Sequence, residues 1–202
     1  MILYHLDHEG TLTEGQIISP GPVSDRYPDI RLSPFGEKIS SGPKGGSVPM
    51  TVDEFFAQVN TFNLENEAEI IRRESFSDYP SRLSVFYCVR QLCDLVPWDH
   101  FFPLSPASRI CEIEYDGPLY EFDARFLRGN TLGDPFGTPD PVKTLEDLSL
   151  ARNELMRYWS RQKSEAPLPE ILVPLPVTIS RIASLDSYPD FRLFHPAAGQ
   201  AP

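Results

Sequence analysis

Three stretches of this sequence carry polar groups in settings that suit chemistry. Glu170 stands where a polar loop gives way to the apolar run Ile171-Leu172-Val173. A glutamate at the mouth of a short strand costs little if solvated, and it can reach into a cleft. His5 follows Tyr4 in Ile2-Leu3-Tyr4-His5-Leu6, where an imidazole can donate to or accept from a sugar diol. Between them lies Tyr79-Pro80-Ser81-Arg82-Leu83-Ser84-Val85-Phe86-Tyr87. It offers the Ser84 hydroxyl, the Arg82 guanidinium for a pyrophosphate or a target, and the Phe86 and Tyr87 rings for stacking. Each stretch also has a plainer role. His5 can be a half-buried strand histidine, Ser81 or Ser84 a helix cap with Phe86 in the core, and Glu170 a strand-edge surface group.

Other groups compete. Glu112, Glu114, Glu121 and Asp123 line a central pair of strands, and with His100 they would suggest a metal or an acid–base pair. A solvated strand face explains them better. His5 and His8 face opposite sides of a strand and make a poor metal pair. The Lys44-Gly45-Gly46 segment lacks the spacing and flanks of a phosphate loop, and no G-x-S-x-G elbow is present. Cys88, Cys93 and Cys111 are an odd set without metal-like pairing, which reads as free thiols in a reducing compartment.

The segment Leu168-Pro169-Glu170-Ile171-Leu172-Val173-Pro174 resembles the third motif of ADP-ribosyltransferases, above all the DarT-type enzymes and related bacterial proteins. Leu3-Tyr4-His5 resembles the opening motif of the DarT, poly-ADP-ribose polymerase and RNA-phosphotransferase branches. The Pro80-Ser81-Arg82 to Phe86 segment resembles the middle motif. The resemblance implies NAD as substrate, with His5 and Tyr4 at the cofactor and Ser84, Phe86, Tyr87 and Arg82 around its nicotinamide and pyrophosphate. Glu170 would be the catalytic carboxylate, steadying an oxocarbenium-like transition state. It also implies an α+β ADP-ribosyltransferase-like split β-sandwich with flanking helices and long Pro-rich loops. Two departures stand out. Leu168 occupies the place where arginine-modifying members carry Glu or Gln, and no glycine directly follows His5.

The implied activity is mono-ADP-ribosylation of a macromolecule, protein or nucleic acid, by a bacterial toxin or phage-defence effector. The alternatives are a non-catalytic NAD- or partner-binding module of the same fold, or an NAD glycohydrolase. An antitoxin or immunity protein would be a natural partner. The net charge of −11 disfavours passive binding to a phosphate backbone and pulls toward a protein acceptor. No stretch is long and apolar enough for a membrane span, and the N-terminus has no signal-peptide pattern, so a cytoplasmic location is expected, in the producing cell or in one it enters.

The elements that must position these groups follow from pattern. The 202 residues suit one domain, 1–195, with a disordered tail, 196–202. Twenty-one prolines limit helix and favour loops and short strands. Strands are expected at 2–6, 109–115, 119–123, 171–173 and 178–182, with Asp116-Gly117 as a hairpin turn joining the second and third. Residues 19–50, rich in Pro, Gly and Ser, read as a mobile stretch or a lid. Helices are expected over 52–59, behind a Thr51/Glu54 capping box, and over 64–75. The spacing after Ser84 predicts helix, and a long helix begins at Thr144.

Overall fold

The computed structural model describes residues 1–42, 51–100, 104–129, 131 and 141–188. The expected tail, 196–202, and residues 43–50 of the expected lid lie outside the described residues. The chain divides into two compact units. The first holds Met1–Ser19, Phe86–Glu121 and the chain from Leu168 onward; the second holds Pro20–Val85 and Phe122–Pro167.

The first unit is built of strands. β1 (Ile2–Asp7), β2 (Ile17–Ile18), β4 (Arg109–Glu114) and β7 (Val177–Ser184) form a sheet of order β1-β4-β7-β2, with every pairing antiparallel. β1 and β4 run in register from Ile2 opposite Glu114 to Asp7 opposite Arg109. A second sheet has the order β3-β6-β5, from Val85–Cys88, Pro169–Pro174 and Tyr120–Asp123. The division into units falls inside β3 and β5.

Side chains alternate between the faces of a strand, and the cores follow that rule. Leu3, Cys111, Ile113 and Ile179 cluster with Phe86, Cys88, Ile171 and Val173. The intervening positions Tyr4 and Leu6 join Val89, Leu95, Ile110 and Trp98 in another cluster. Tyr4 exchanges both main-chain hydrogen bonds with Val89, at 3.0 and 2.8 Å. β1 therefore pairs with β4 on one side and on the other is bridged through Tyr4 to Val89, the residue after β3.

The second unit is mainly helical among its described residues. α1 (Pro34–Ser40) starts at a Ser33 cap, α2 runs Val52–Ser75, and α3 runs Pro141–Trp159. Trp159, Tyr158 and Phe122 are fully buried and stack or meet edge to face, with ring centroids 4.7 to 5.3 Å apart. Each such ring removes about 150–250 Å² from water, a gross gain of about 4–6 kcal/mol. The Trp159 indole N–H donates to the Ala68 carbonyl at 2.9 Å, so burial leaves no orphaned donor there.

Several expectations need correction. The 52–59 and 64–75 helices are one helix, α2, because no Pro or Gly interrupts 60–63. Within that stretch Asn60 directs its amide to Gly129 O and Thr131 rather than breaking its own backbone ladder. The expected lid contains α1 and a small core of Tyr27, Ile30 and Leu32 packed on Leu83. The stretch after Ser84 is strand β3, not helix; Val85-Phe86-Tyr87 is β-branched and aromatic and joins a sheet. β4 and β5 do not form a hairpin, since they belong to different sheets. α3 begins three residues before Thr144.

Candidate functional site

His5 sits in the middle of β1 with its ring 4.4 Å from that of Phe86, tilted at 44°. Its Nδ1 lies 2.8 Å from the main-chain carbonyl of Tyr87. A carbonyl only accepts, so Nδ1 carries the proton and donates. Nε2 of the neutral ring is then a lone-pair acceptor. Burial lowers the His5 pKa, which keeps the ring neutral at pH 7; the Tyr87 carbonyl and Asp7 pull the other way, and His8 adds to the lowering. Two segments 82 residues apart are thus tied at the histidine itself.

Phe86 is 8% exposed and packs in the same core as Leu3. Tyr87, one residue on, projects from the other face of β3. Tyr4 likewise turns away from His5, into the cluster with Val89 and Ile110. Glu170 is the second residue of β6 and is 4% exposed. Its neighbour Pro169 accepts the Trp98 indole N–H at 3.2 Å, which anchors the start of the strand. Because Ile171 and Val173 point into the core that His5 borders, alternation turns Glu170 to the opposite face of β6. The structure therefore places Tyr4, Tyr87 and Glu170 on faces away from the core layer that holds Phe86 and borders His5.

Arg82 and Ser84 belong to the helical unit. Arg82 is 5% exposed; its Nε lies 3.0 Å from Glu65 and its Nη1 donates to the Tyr158 hydroxyl at 2.6 Å. The guanidinium also lies over the Tyr158 ring, 5.1 Å from its centre. Ser84 donates to the Ser81 carbonyl at 3.0 Å, while Ser81 caps the 3-10 turn Arg82–Ser84. Both residues are thus committed to local structure.

Sequence reasoning passed over Asp7 and Arg109. Asp7 is 4% exposed and accepts the Thr11 and Leu12 amides at 3.1 and 3.0 Å. Arg109 Nη2 reaches Asp7 at 3.3 Å, Leu12 O at 2.8 Å, and Gly10 O. The signal was present in Asp7-x-x-Gly10-Thr11, a sequence suited to a carboxylate-capped turn. Cys88 and Cys111 are buried free thiols, and Cys93 is an exposed one. Burial raises both buried thiols, Cys111 to about 12, so neither is a ready nucleophile. Among the described residues no group of three His, Cys, Asp or Glu side chains could hold a metal, and no helix is long and apolar enough to cross a membrane.

A family model described as "Protein of unknown function (DUF2441)" matches residues 46–185. The match takes in β3 to β7 and the candidate residues except Tyr4, His5 and Asp7. No curated protein matches the chain.

Proposed function

The chain belongs to DUF2441, and for this member we propose mono-ADP-ribosyl transfer from NAD to a macromolecular acceptor, protein or nucleic acid, on a split β-sandwich of the ADP-ribosyltransferase kind. One observation carries the reading. Of the three segments that resemble the motifs of that superfamily, far apart in sequence, one lies on β6, the end of the middle one, Val85–Tyr87, lies on the neighbouring β3, and one lies on β1, which is bridged to Val89 just after β3. β1 belongs to the first sheet and is bridged through Tyr4 to Val89, the residue after β3 of the second, which supports a sandwich opened beside that strand.

In the proposed reaction the bond between ribose C1′ and the nicotinamide nitrogen breaks, and its electron pair leaves with nicotinamide. The acceptor's lone pair forms the new bond to C1′, and the acceptor's proton passes to Glu170. The same carboxylate steadies the positive charge that develops on the sugar. His5, neutral and with Nδ1 committed, accepts a ribose hydroxyl at Nε2. Phe86 supplies the aromatic surface beside it, and Tyr87 one on the opposite face of β3. Since Glu170 and His5 project from opposite faces of the strand run, a dinucleotide lying on one face would miss one of them. In this reading the dinucleotide must pass from one face to the other to touch both, and the Glu170 substitution is what tests that.

The test uses NAD labelled in its adenylate half, incubated with the protein and a bacterial extract. Wild type is expected to label a macromolecule and release nicotinamide, and Glu170→Gln to lose at least about a hundredfold of that rate, the scale of one electrostatic contact to the transition state. Equal labelling by the two proteins would remove Glu170 from the chemistry. The low exposure of Glu170 favours one rival, a non-catalytic module. In that case NAD would raise the melting temperature without nicotinamide release. Nicotinamide release with no labelled macromolecule would identify an NAD glycohydrolase.

A further inference from the structure

We propose that Asp7 and Arg109 are the positioning pair of His5: they fix the turn that follows it and set the charge its ring carries. Only the binding arm of this inference rests on the reading of His5 as a cofactor contact.

The pair stands directly opposite in the β1–β4 register, as His5 stands opposite Cys111. Alternation puts all four side chains on one face of the sheet. Arg109 is then a diagonal neighbour of His5, at roughly 7–8 Å between backbones. Asp7 is a buried carboxylate, which survives only with partners. It has three: the amides of Thr11 and Leu12, and Arg109. Arg109 in turn holds the carbonyls of Gly10 and Leu12, so one guanidinium nitrogen ties both ends of the turn to the start of β4.

The turn is fastened elsewhere too. Ser108 donates its hydroxyl to His8 O at 3.2 Å. Gly10 has φ of 67°, and a Cβ there would run into the Ala107 carbonyl, so the close approach needs glycine. Residues 8–12 are therefore clamped immediately beyond His5.

The charge argument uses the same geometry. The titratable groups around the His5 ring are Asp7 on its own strand, His8 in the turn that follows, Arg109 and Cys111 on β4, and the buried Cys88 of β3. Of these, only Asp7 and Arg109 are charged at neutral pH in a fixed, mutually bonded geometry. Arg109 offsets the negative charge that would otherwise draw a proton onto His5. Burial is the main cause that keeps the ring neutral, and with the pair intact the pull of Asp7 against it is held in check, so Nε2 stays an acceptor.

Two readouts decide the matter. The first is the pH titration of the His5 ring nitrogens followed by NMR in wild type, Asp7→Asn and Arg109→Gln. Asp7→Asn is expected to lower the midpoint and Arg109→Gln to raise it, each by about half a pH unit or more. A purely structural clamp would move neither in that signed manner, and midpoints coincident with wild type would overturn the proposal. The second is NAD affinity by calorimetry. Arg109→Lys keeps the charge, but its nitrogen is one bond closer to the main chain than Nη2 and cannot sit where Nη2 meets Asp7, Gly10 O and Leu12 O, so it is expected to titrate like wild type yet bind NAD about tenfold more weakly. Unchanged affinity in Arg109→Lys would overturn the turn-fixing half. Should wild type itself fail to bind NAD while the midpoints move as expected, the functional reading falls and the charge-setting role of the pair stands.

Discussion

In the helical unit, buried charges answer one another. Arg82 is held by Glu65 and Tyr158, and the Glu69 carboxylate is shared by Arg72 and Arg73 at 2.7 to 2.9 Å. In the strand unit, His5 gives its one ring proton to a main-chain carbonyl and keeps an acceptor nitrogen. Both arrangements avoid leaving a buried donor unpaired. The first closes the electrostatic account inside the protein and leaves nothing to offer a ligand. The second is closed on one side only. The contrast separates residues that look equally reactive in the sequence: Arg82 and His5 both sit in motif-like segments, yet one is spent on structure.

That contrast can be broken by experiment, and the largest effect is expected at Arg82. Arg82→Met removes the partner of a buried carboxylate and should cost about 3–5 kcal/mol in urea unfolding. A loss under 1 kcal/mol would mean that the Glu65 pairing is not structural. Tyr158→Phe keeps the ring but removes the hydroxyl that accepts from Arg82, and should cost about 1.5–3 kcal/mol. If Tyr158→Phe instead abolished NAD turnover at full stability, the assignment of this cluster to structure would be wrong. Thr51→Ala tests a different layer of the same unit. Thr51 and Glu54 form a reciprocal capping box at the start of α2, and its loss should cost about 1 kcal/mol by thermal melting.

The smallest effect is expected in the strand unit and depends on pH. The folded-state pKa of His5 lies below its ordinary 6.5. Below 6.5 the unfolded chain takes up the proton first, so the stability tied to neutral His5 is fully present above 6.5 and is lost as pH falls toward the folded value. Melting temperatures of wild type and His5→Gln, measured from pH 7.5 down to pH 5, should converge in acid. Parallel curves would show that His5 titrates alike in both states.

Much of this architecture is written in local pattern. Alternation in Ile2–Leu6 and Arg109–Tyr115, the apolar Ile171–Val173 and the Thr51 cap all announce elements that the structure contains. What pattern could not supply was pairing. Nothing in Asp116-Gly117 says that the strands flanking it enter different sheets, because sheet partners are fixed by contacts distant in sequence. Val85–Cys88 shows the same limit from the other side. Its apolar spacing fits a helix, and only a place beside β6 makes it a strand. At the site, residue types pointed to His5, Phe86 and Tyr87; the structure sets the Phe86 ring against His5, but meets it with the main chain of Tyr87 and not with its ring. They gave no means of telling which face of β6 Glu170 would take, since that depends on the strand's register and not on the motif. Arg82 misled for a related reason: its partners Glu65 and Tyr158 lie 17 and 76 residues away.

β6 and β7 hold the middle of their sheets, yet they come from the chain after residue 168. On the ribosome, β1, β3 and β4 emerge long before the strands that will lie between or beside them. Until residue 184 has been synthesised, β4 and β3 present bare edges with unmet N–H and C=O groups, a template for wrong pairing. The helical unit needs nothing later than residue 167. It can condense first, while the half that carries His5 waits for the last strands to arrive.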